Sequence, residues 1–375
     1  MTRAVVLPAS TLVGRPPDID MTAELGSLTM PSPVLTASGC AASGRELDQF
    51  FDITTLGAIV TKSIMMQPRS GRPTPRMAET PSGMLNSIGL QGPGVHSFLE
   101  HDLAWLRERG ARVVVSIAGN TVEEYTQLAK LLRMYDGIDA IEVNISCPNV
   151  ADRGQVFACR ADTASSVVGL VRRNTDPRIP VIVKLSPDVT DIATIAVACE
   201  RAGADAISLI NTLLGMVIDT TTMRPALAGV TGGLSGPAIR PVAVRCVWQV
   251  REALPEIPIL GMGGIRTGED ALEFVLAGAN AVCVGTSIFN DPSAPARIHA
   301  ELASALADRG FARLADAVSY AHRGMAGPAG PVDDEPSVEA GTGDPEEEAV
   351  ADPVLAGPSA SPAPEGDPLS GDAEA

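Results

Sequence analysis

The sequence predicts an α/β protein, a (β/α)8 barrel of the TIM-barrel class, followed by a disordered acidic C-terminal tail. Three observations carry this expectation. Eight short apolar runs recur along the chain, amphipathic helical patterns fill the intervals between them, and nearly every run ends in a polar residue or a glycine. Continuous Val/Ile runs, unlike alternating ones, suit strands buried on both faces of a parallel sheet under crossover helices. Eight such units in about 300 residues fit a closed barrel better than an open sheet.

In order, the runs are PVLTA (33–37), GAIVTKS (57–63), VVVSIA (113–118), AIEVNIS (140–146), PVIVKLS (180–186), DAISLIN (205–211), PILGMG (258–263) and AVCVGTS (281–287). Between them lie SFLEHDLAWLRERG, VEEYTQLAKLLRMY, TDIATIAVACERAG and GEDALEFVLAGAN, several with a glycine close before the next run, as helix C-caps have. Two intervals are too long for a simple crossover: MMQPRSGRPTPRMAETPSGMLNSIGLQGPGV after run two and NTLLGMVIDTTTMRPALAGVTGGLSGPAIRP after run six. Both leave strand C-terminal ends, where a barrel keeps its active site. The expected organisation is an N-terminal extension over 1–20, the barrel over 21–322 and the tail over 323–375.

Composition narrows the function classes. The formal charge of −17 is concentrated in the tail, which from Gly324 holds thirteen of the 45 acidic residues and none of the 28 basic ones. The remainder is nearly neutral, so it lacks the basic face that nucleic acid requires. The tail is rich in Pro, Gly, Ala and acid and has little to bury, which predicts disorder. Its role is either solubilising or partner-binding. The six cysteines, at 40, 147, 159, 199, 246 and 283, form no CxxC or short cluster, so neither a zinc site nor an iron–sulfur cradle is written, and no metal is expected. Residues 1–20 contain only a short, proline-broken apolar stretch, unlike a signal peptide or spanning helix. A cytoplasmic protein with no membrane partner is expected.

A barrel brings the strand ends to one mouth. GMGGI after run seven and VGTS after run eight place Gly263, Gly264, Gly285 and Thr286 where backbone N–H groups can close on a phosphate. Either pair alone would pass as an ordinary tight turn; adjacent, they favour a phosphorylated ligand. No GxGxxG follows the first run, so a mononucleotide such as FMN fits better than a dinucleotide. Lys62 and Lys184 stand at the ends of otherwise apolar runs, and a lysine is rarely buried unless something negative pairs with it. A salt bridge to a carboxylate at the mouth would serve, yet Glu142 and Asp205 are the only acids in the eight runs. An anionic flavin would also serve.

NISCPN, TKS before a Pro/Arg-rich loop, NSIGLQGPG, VKLSPD, INTLLGMVID, GGLSGPAIRPVA and GMGGIRTGEDALEFVLAGA together resemble the class 1 dihydroorotate dehydrogenases, most closely the NAD-linked 1B type, over roughly residues 20 to 320. One departure is visible: the 1B pattern commonly reads NAIGLQNPG, and here Ser87 and Gly92 stand in it. The resemblance implies oxidation of (S)-dihydroorotate to orotate in pyrimidine (UMP) biosynthesis. In that family the cysteine of SCPN takes a proton from C5 while C6 delivers hydride to flavin N5, which assigns Cys147 as general base. A thiol suits that task when nearby positive charge and donors bring its pKa into range. The same carry-over assigns substrate contacts to Lys62, Asn86, Ser87, Ile88, Gly89, Leu90, Asn144, Asn149, Asn211 and Thr212. Carboxamides suit orotate, whose ring bears both carbonyls and N–H groups. FMN contacts fall to Ser38, Lys62, Ser63, Asn120, Asn144, Lys184, Ile210, Gly236, Gly263, Gly264, Gly285 and Thr286.

The 1B resemblance also implies a second subunit carrying FAD and a [2Fe–2S] cluster, in a heterotetramer built on a dimer of this chain. Two alternatives stand beside this reading: reduction of uracil-like rings, as in the related domain of dihydropyrimidine dehydrogenase, and a barrel that keeps FMN as a redox carrier or scaffold without dihydroorotate turnover. Class 2 enzymes, with an N-terminal extension leading to quinone and a serine base, match less well.

Overall fold

The computed structural model describes residues 18–145 and 160–324, which belong to one compact unit. The tail expected to be disordered lies outside the described residues. Eight parallel strands form the barrel: β1 Val34–Thr36, β2 Ile59–Val60, β3 Val113–Ile117, β4 Ala140–Asn144, β5 Val181–Lys184, β6 Ala206–Leu209, β7 Ile259–Met262 and β8 Ala281–Val284. Each strand lies within one of the eight predicted runs. The ladder runs β2-β3-β4-β5-β6-β7-β8-β1, every neighbour parallel. Between β1 and β2 closure is made by hydrogen bonds around Thr36, whose hydroxyl accepts the Val60 N–H at 3.0 Å, and by Gly57 N–H to the Val34 carbonyl at 2.9 Å.

Strand residues are buried without alternation, because helices cover the outer face and side chains fill the inner one. The crossovers after β3 to β8 contain the helices Val122–Leu132, Ala161–Asn174, Ile192–Arg201, Arg240–Ala253, Gly268–Leu276 and Ala294–Asp308. Three begin on side-chain caps that the sequence carries: Thr121 accepts the Glu124 N–H, Asp191 the Thr194 N–H, and Thr267 with Asp270 forms a reciprocal capping box. The first crossover differs, holding only two short 3₁₀ turns, Leu47–Gln49 and Ile53–Thr55.

A repeated device closes the N-terminal end of the barrel. The residue just before β4, β6 and β8 turns its side-chain oxygen onto the first N–H of the preceding strand: Asp139 to Val113 at 2.7 Å, Asp205 to Val181 at 2.8 Å, Asn280 to Ile259 at 3.0 Å. A hairpin, Ala23–Leu25 with Leu28–Met30, packs at this end. Its Gly26, at φ +60°, sits so close to Asp205 and Pro180 that a Cβ would lie 3.0 Å from each of theirs.

At the opposite end the two long intervals meet. Met77–Thr80 and Gly83–Asn86 from the segment after β2 join Leu213–Gly215 and Gly232–Ser235 from the segment after β6 in one four-stranded antiparallel sheet. These segments, expected as loops, thus carry a small second sheet over the mouth.

Candidate active site

The mouth encloses a cavity of about 1070 Å³. That is the upper range for sites that take a cofactor or drug-sized ligand. Of the residues singled out from sequence, Ser38, Lys62, Ser63, Asn86, Ile88, Gly89, Leu90, Asn144, Lys184, Ile210, Asn211, Thr212, Gly236, Gly263, Gly264, Gly285 and Thr286 line it. Two described residues do not. Ser87 is fully buried, with its backbone N–H on the Arg76 carbonyl at 2.8 Å, and Asn120 is exposed, capped onto Glu124 at the start of helix Val122–Leu132. Cys147 and Asn149 lie outside the described residues.

Register places the polar strand ends side by side. Asn144 ends β4 directly opposite Lys184, the end of β5, and Ser208 on β6 pairs with Lys184 from the other side. Lys184 is only 4% exposed, yet forms no ion pair among the described residues; its Nζ donates to Ser38 Oγ at 3.2 Å. Lys62 approaches the same turn after β1, since a Cβ on Gly39 would lie 3.4 Å from its Nζ. Both ammonium groups act on Cys40. Burial raises that thiol's pKa, and Lys184 and then Lys62 pull it down. Burial of a cation without a carboxylate partner is costly unless an anion completes the site.

The glycine end has a steric signature. Gly236, Gly263 and Gly264 hold φ of +96°, +133° and +76°, and a Cβ on Gly264 would come within 2.8 Å of the Gly236 carbonyl oxygen. Thr286 Oγ1 donates to Ser235 Oγ at 2.8 Å, tying the turn after β8 to the mouth sheet. The result is a narrow, backbone-walled pocket suited to a phosphate.

Carboxamides line another part of the cavity. Asn86 Nδ2 donates to the Gly233 carbonyl at 3.3 Å across the mouth sheet, and Asn211 Nδ2 donates to Asn144 Oδ1 at 3.5 Å. Thr212 N–H donates to Asn211 Oδ1 at 2.8 Å. Behind Asn144, its Nδ2 donates to Ser63 Oγ at 2.9 Å, Ser63 meets Ser116 at 3.0 Å, and Ser116 donates to Glu142 at 2.8 Å. Sequence reading does not find Ser116 or Ser208, because only the strand register shows that their hydroxyls converge on Glu142. Ser235 and Cys40 also line the cavity; Ser235 sits within the quoted GGLSGP motif, whereas Cys40 stands in no motif.

Taken together, the described residues bring together a glycine-walled pocket suited to a phosphate, two lysines and a cavity with room for a flat ring system and a small ring beside it. Among the described residues no group of three or more His, Cys, Asp or Glu could hold a metal ion, and no helix is long and apolar enough to cross a membrane.

Comparison with known proteins agrees with this geometry. The dihydroorotate dehydrogenase family model matches residues 21–306. The catalytic subunit of dihydroorotate dehydrogenase B (NAD(+)) from Geobacter sp. (strain M21) is 52% identical over 289 residues, covering 77% of this chain and 94% of that protein. The proteins of the same name from Desulforudis audaxviator and Geobacillus kaustophilus are 52% and 48% identical, covering 80% and 79% of this chain and 96% and 93% of theirs. With a family match across most of its length and relatives at about half identity, the chain belongs to the dihydroorotate dehydrogenase family.

Proposed function

We propose that this chain is the catalytic subunit of an NAD-linked dihydroorotate dehydrogenase, oxidising (S)-dihydroorotate to orotate in pyrimidine biosynthesis with FMN as its flavin. The observation that carries the reading is the cavity in which Lys184 is buried without a carboxylate partner among the described residues, in a chain of this family. Gly263, Gly264, Gly285 and Thr286 would hold the phosphate, while Lys184, Lys62, Ser38 and Ser63 would face the ring system. When bound, the flavin supplies the two-electron acceptor for the hydride that leaves C6 of the substrate.

The chain's own residues supply the rest. Asn86, Asn144, Asn211 and Thr212 offer both donors and acceptors to a ring that carries both, so they orient it without adding charge. Asn149 is proposed with them. Cys147 is the proposed base that removes the C5 proton, a role in which a thiol can work at neutral pH when nearby positive charge and donors lower its pKa.

Electrons leave through a separate electron-transfer subunit, which we propose carries FAD and a [2Fe–2S] cluster and joins a dimer of this chain in a cytoplasmic heterotetramer. In anaerobic titrations the flavin should bleach with dihydroorotate and stay oxidised with dihydrouracil, and NAD should be reduced only once the second subunit is added. Bleaching by dihydrouracil instead would transfer the chain to the uracil-type reaction. Rapid NAD reduction by the single chain would remove the partner from the scheme. Cys147→Ser should slow flavin reduction at least ~10²-fold at neutral pH while orotate still binds, as expected when a positioned base is lost.

A further inference from the structure

Among the described residues, the cavity is lined by three cationic side chains, Lys62, Lys184 and Arg266, and by one carboxylate, Glu79 of the mouth sheet. The two lysines gather at the turn after β1, where Lys184 Nζ donates to Ser38 Oγ and Lys62 Nζ lies beside Gly39. Arg266 stands apart from them, two residues beyond Gly264 in the turn after β7. Its backbone is fixed. The Arg266 N–H donates to Asp270 Oδ2 at 2.8 Å, and its carbonyl accepts from Arg297 Nη1 at 3.2 Å. One residue earlier, the Ile265 carbonyl accepts from Ser287 Oγ at 2.7 Å, which joins the turn after β7 to the turn after β8.

The side chain is left over. It is exposed and forms no hydrogen bond or ion pair among the described residues. The carboxylates nearby are taken: Asp270 and Glu273 pair with Arg240, Asp291 and Glu301 with Arg297, and Glu269 with Arg309. Arg240 comes close to the glycine turn, since a Cβ on Gly264 would lie 3.0 Å from its own Cβ, but its guanidinium is occupied by two acids. Of these four arginines, the one without an acid is the one that lines the cavity.

The glycine pocket needs such a group. Its backbone N–H donors are neutral, and Thr286 already gives its hydroxyl proton to Ser235. A phosphate monoester brings a charge of about −1.5 to −2 at pH 7, and a guanidinium can meet two of its oxygens at once through a planar fork. We infer that Arg266 is a phosphate-binding residue, whose guanidinium pairs with the phosphate of the cofactor and makes the site select FMN over riboflavin. The inference rests on the flavin reading above for the identity of the molecule that carries the phosphate. Because the side chain is exposed, the contact weakens with salt.

The test is a fluorescence titration of the flavin-depleted, full-length protein with FMN and with riboflavin at low ionic strength. Arg266→Ala should raise the FMN dissociation constant at least ~10-fold, the scale of a charge-assisted hydrogen bond, and leave that of riboflavin within ~2-fold. Arg309→Ala removes a surface arginine paired with Glu269 and off the cavity, so it controls for net charge and should leave both within ~2-fold. Arg266→Lys keeps the charge without the fork and should fall between, at about 3-fold. In about 0.5 M salt the gap between the native protein and Arg266→Ala should shrink to about 3-fold or less. An unchanged FMN affinity in Arg266→Ala, or equal losses for FMN and riboflavin, would overturn the inference. Should neither flavin bind the unaltered protein, inorganic phosphate decides. A melting temperature raised by phosphate in the native protein and not in Arg266→Ala keeps the phosphate role and removes the flavin, whereas no difference between the two removes both.

Discussion

The two ends of the barrel treat charge differently. At the N-terminal end the protein saturates its own buried guanidinium groups: Arg172 pairs with Asp205 at 2.9 Å and also donates to the carbonyls of Ile179 and Asp176, while Arg251, with no carboxylate partner among the described residues, donates to the carbonyls of Gly278 and Pro255 and to Asn280. At the mouth, Lys184 is more buried than Arg172 and has a serine where a carboxylate would be expected. The comparison teaches that buried cations whose donors the protein itself saturates stand at the end that holds the strands, whereas the sparsely partnered Lys184 stands where a ligand can complete it. Substitutions at the two ends should therefore fail in different assays.

The largest effect is expected at the mouth. Lys184→Ala should weaken flavin binding at least ~30-fold, the scale for truncating one partner of a buried charge pair, while the apo-protein's melting temperature holds or rises. Flavin content by absorbance after dialysis, read beside calorimetry of the apo-protein, checks both halves. An unchanged flavin content would break the comparison, because the mouth charge would then be structural.

At the other end, Asp205→Ala removes the Arg172 partner and leaves the buried Val181 N–H without its acceptor, for about 2 kcal/mol of stability. A melting temperature lower by about 3–4 °C is expected at this size, with flavin content and orotate affinity unaltered. Asp205→Asn retains an acceptor and should lose about half as much, because a half-exposed ion pair contributes only about 1 kcal/mol or less. Loss of flavin from either variant would show that the two ends are coupled.

The smallest effect is a pH dependence. His299, whose Nδ1 lies 2.9 Å from Ser32 Oγ just before β1, has its pKa lowered by burial. The unfolded chain therefore takes up that proton more readily. The stability is fully present above the unfolded value of about 6.5 and is lost as pH falls toward the folded one. Between pH 7.5 and 5.5 the melting temperature should fall more steeply in the native protein than in His299→Gln, by about 2 °C. Parallel curves would remove His299 from the acid response.

The barrel itself is legible in the sequence because strands buried on both faces write themselves as continuous Val/Ile runs; all eight lie where the runs are. The strand-end residues are legible for the same reason, a lysine such as Lys184 or an asparagine such as Asn144 standing out at the end of an apolar run. The mouth sheet is not. MAET and GMLN alternate poorly and include a glycine; they pair with each other, but the second partner of GMLN lies about 150 residues away, which no local period reports. Glu142 is noticed in the sequence only as a missing counter-charge, because its contacts with Ser116 and Ser208 come from register rather than spacing. Ser87 shows the converse: it sits in a site motif, yet its side chain lies away from the cavity.

The mouth sheet also sets how the molecule can be divided. Gly83–Asn86 comes from the first half of the eight units and Gly232–Ser235 from the second, and they pair edge to edge. A half-barrel fragment, whether made by an engineer or emerging first from the ribosome, would display Gly83–Asn86 as an open strand edge, a template for the wrong partner. Graft experiments meet the same constraint: exchanging the segment after β2 with that of a relative leaves its strands without matched pairing unless the segment after β6 travels with it. The two insertions make one sheet, interrupted in the sequence by half of a barrel.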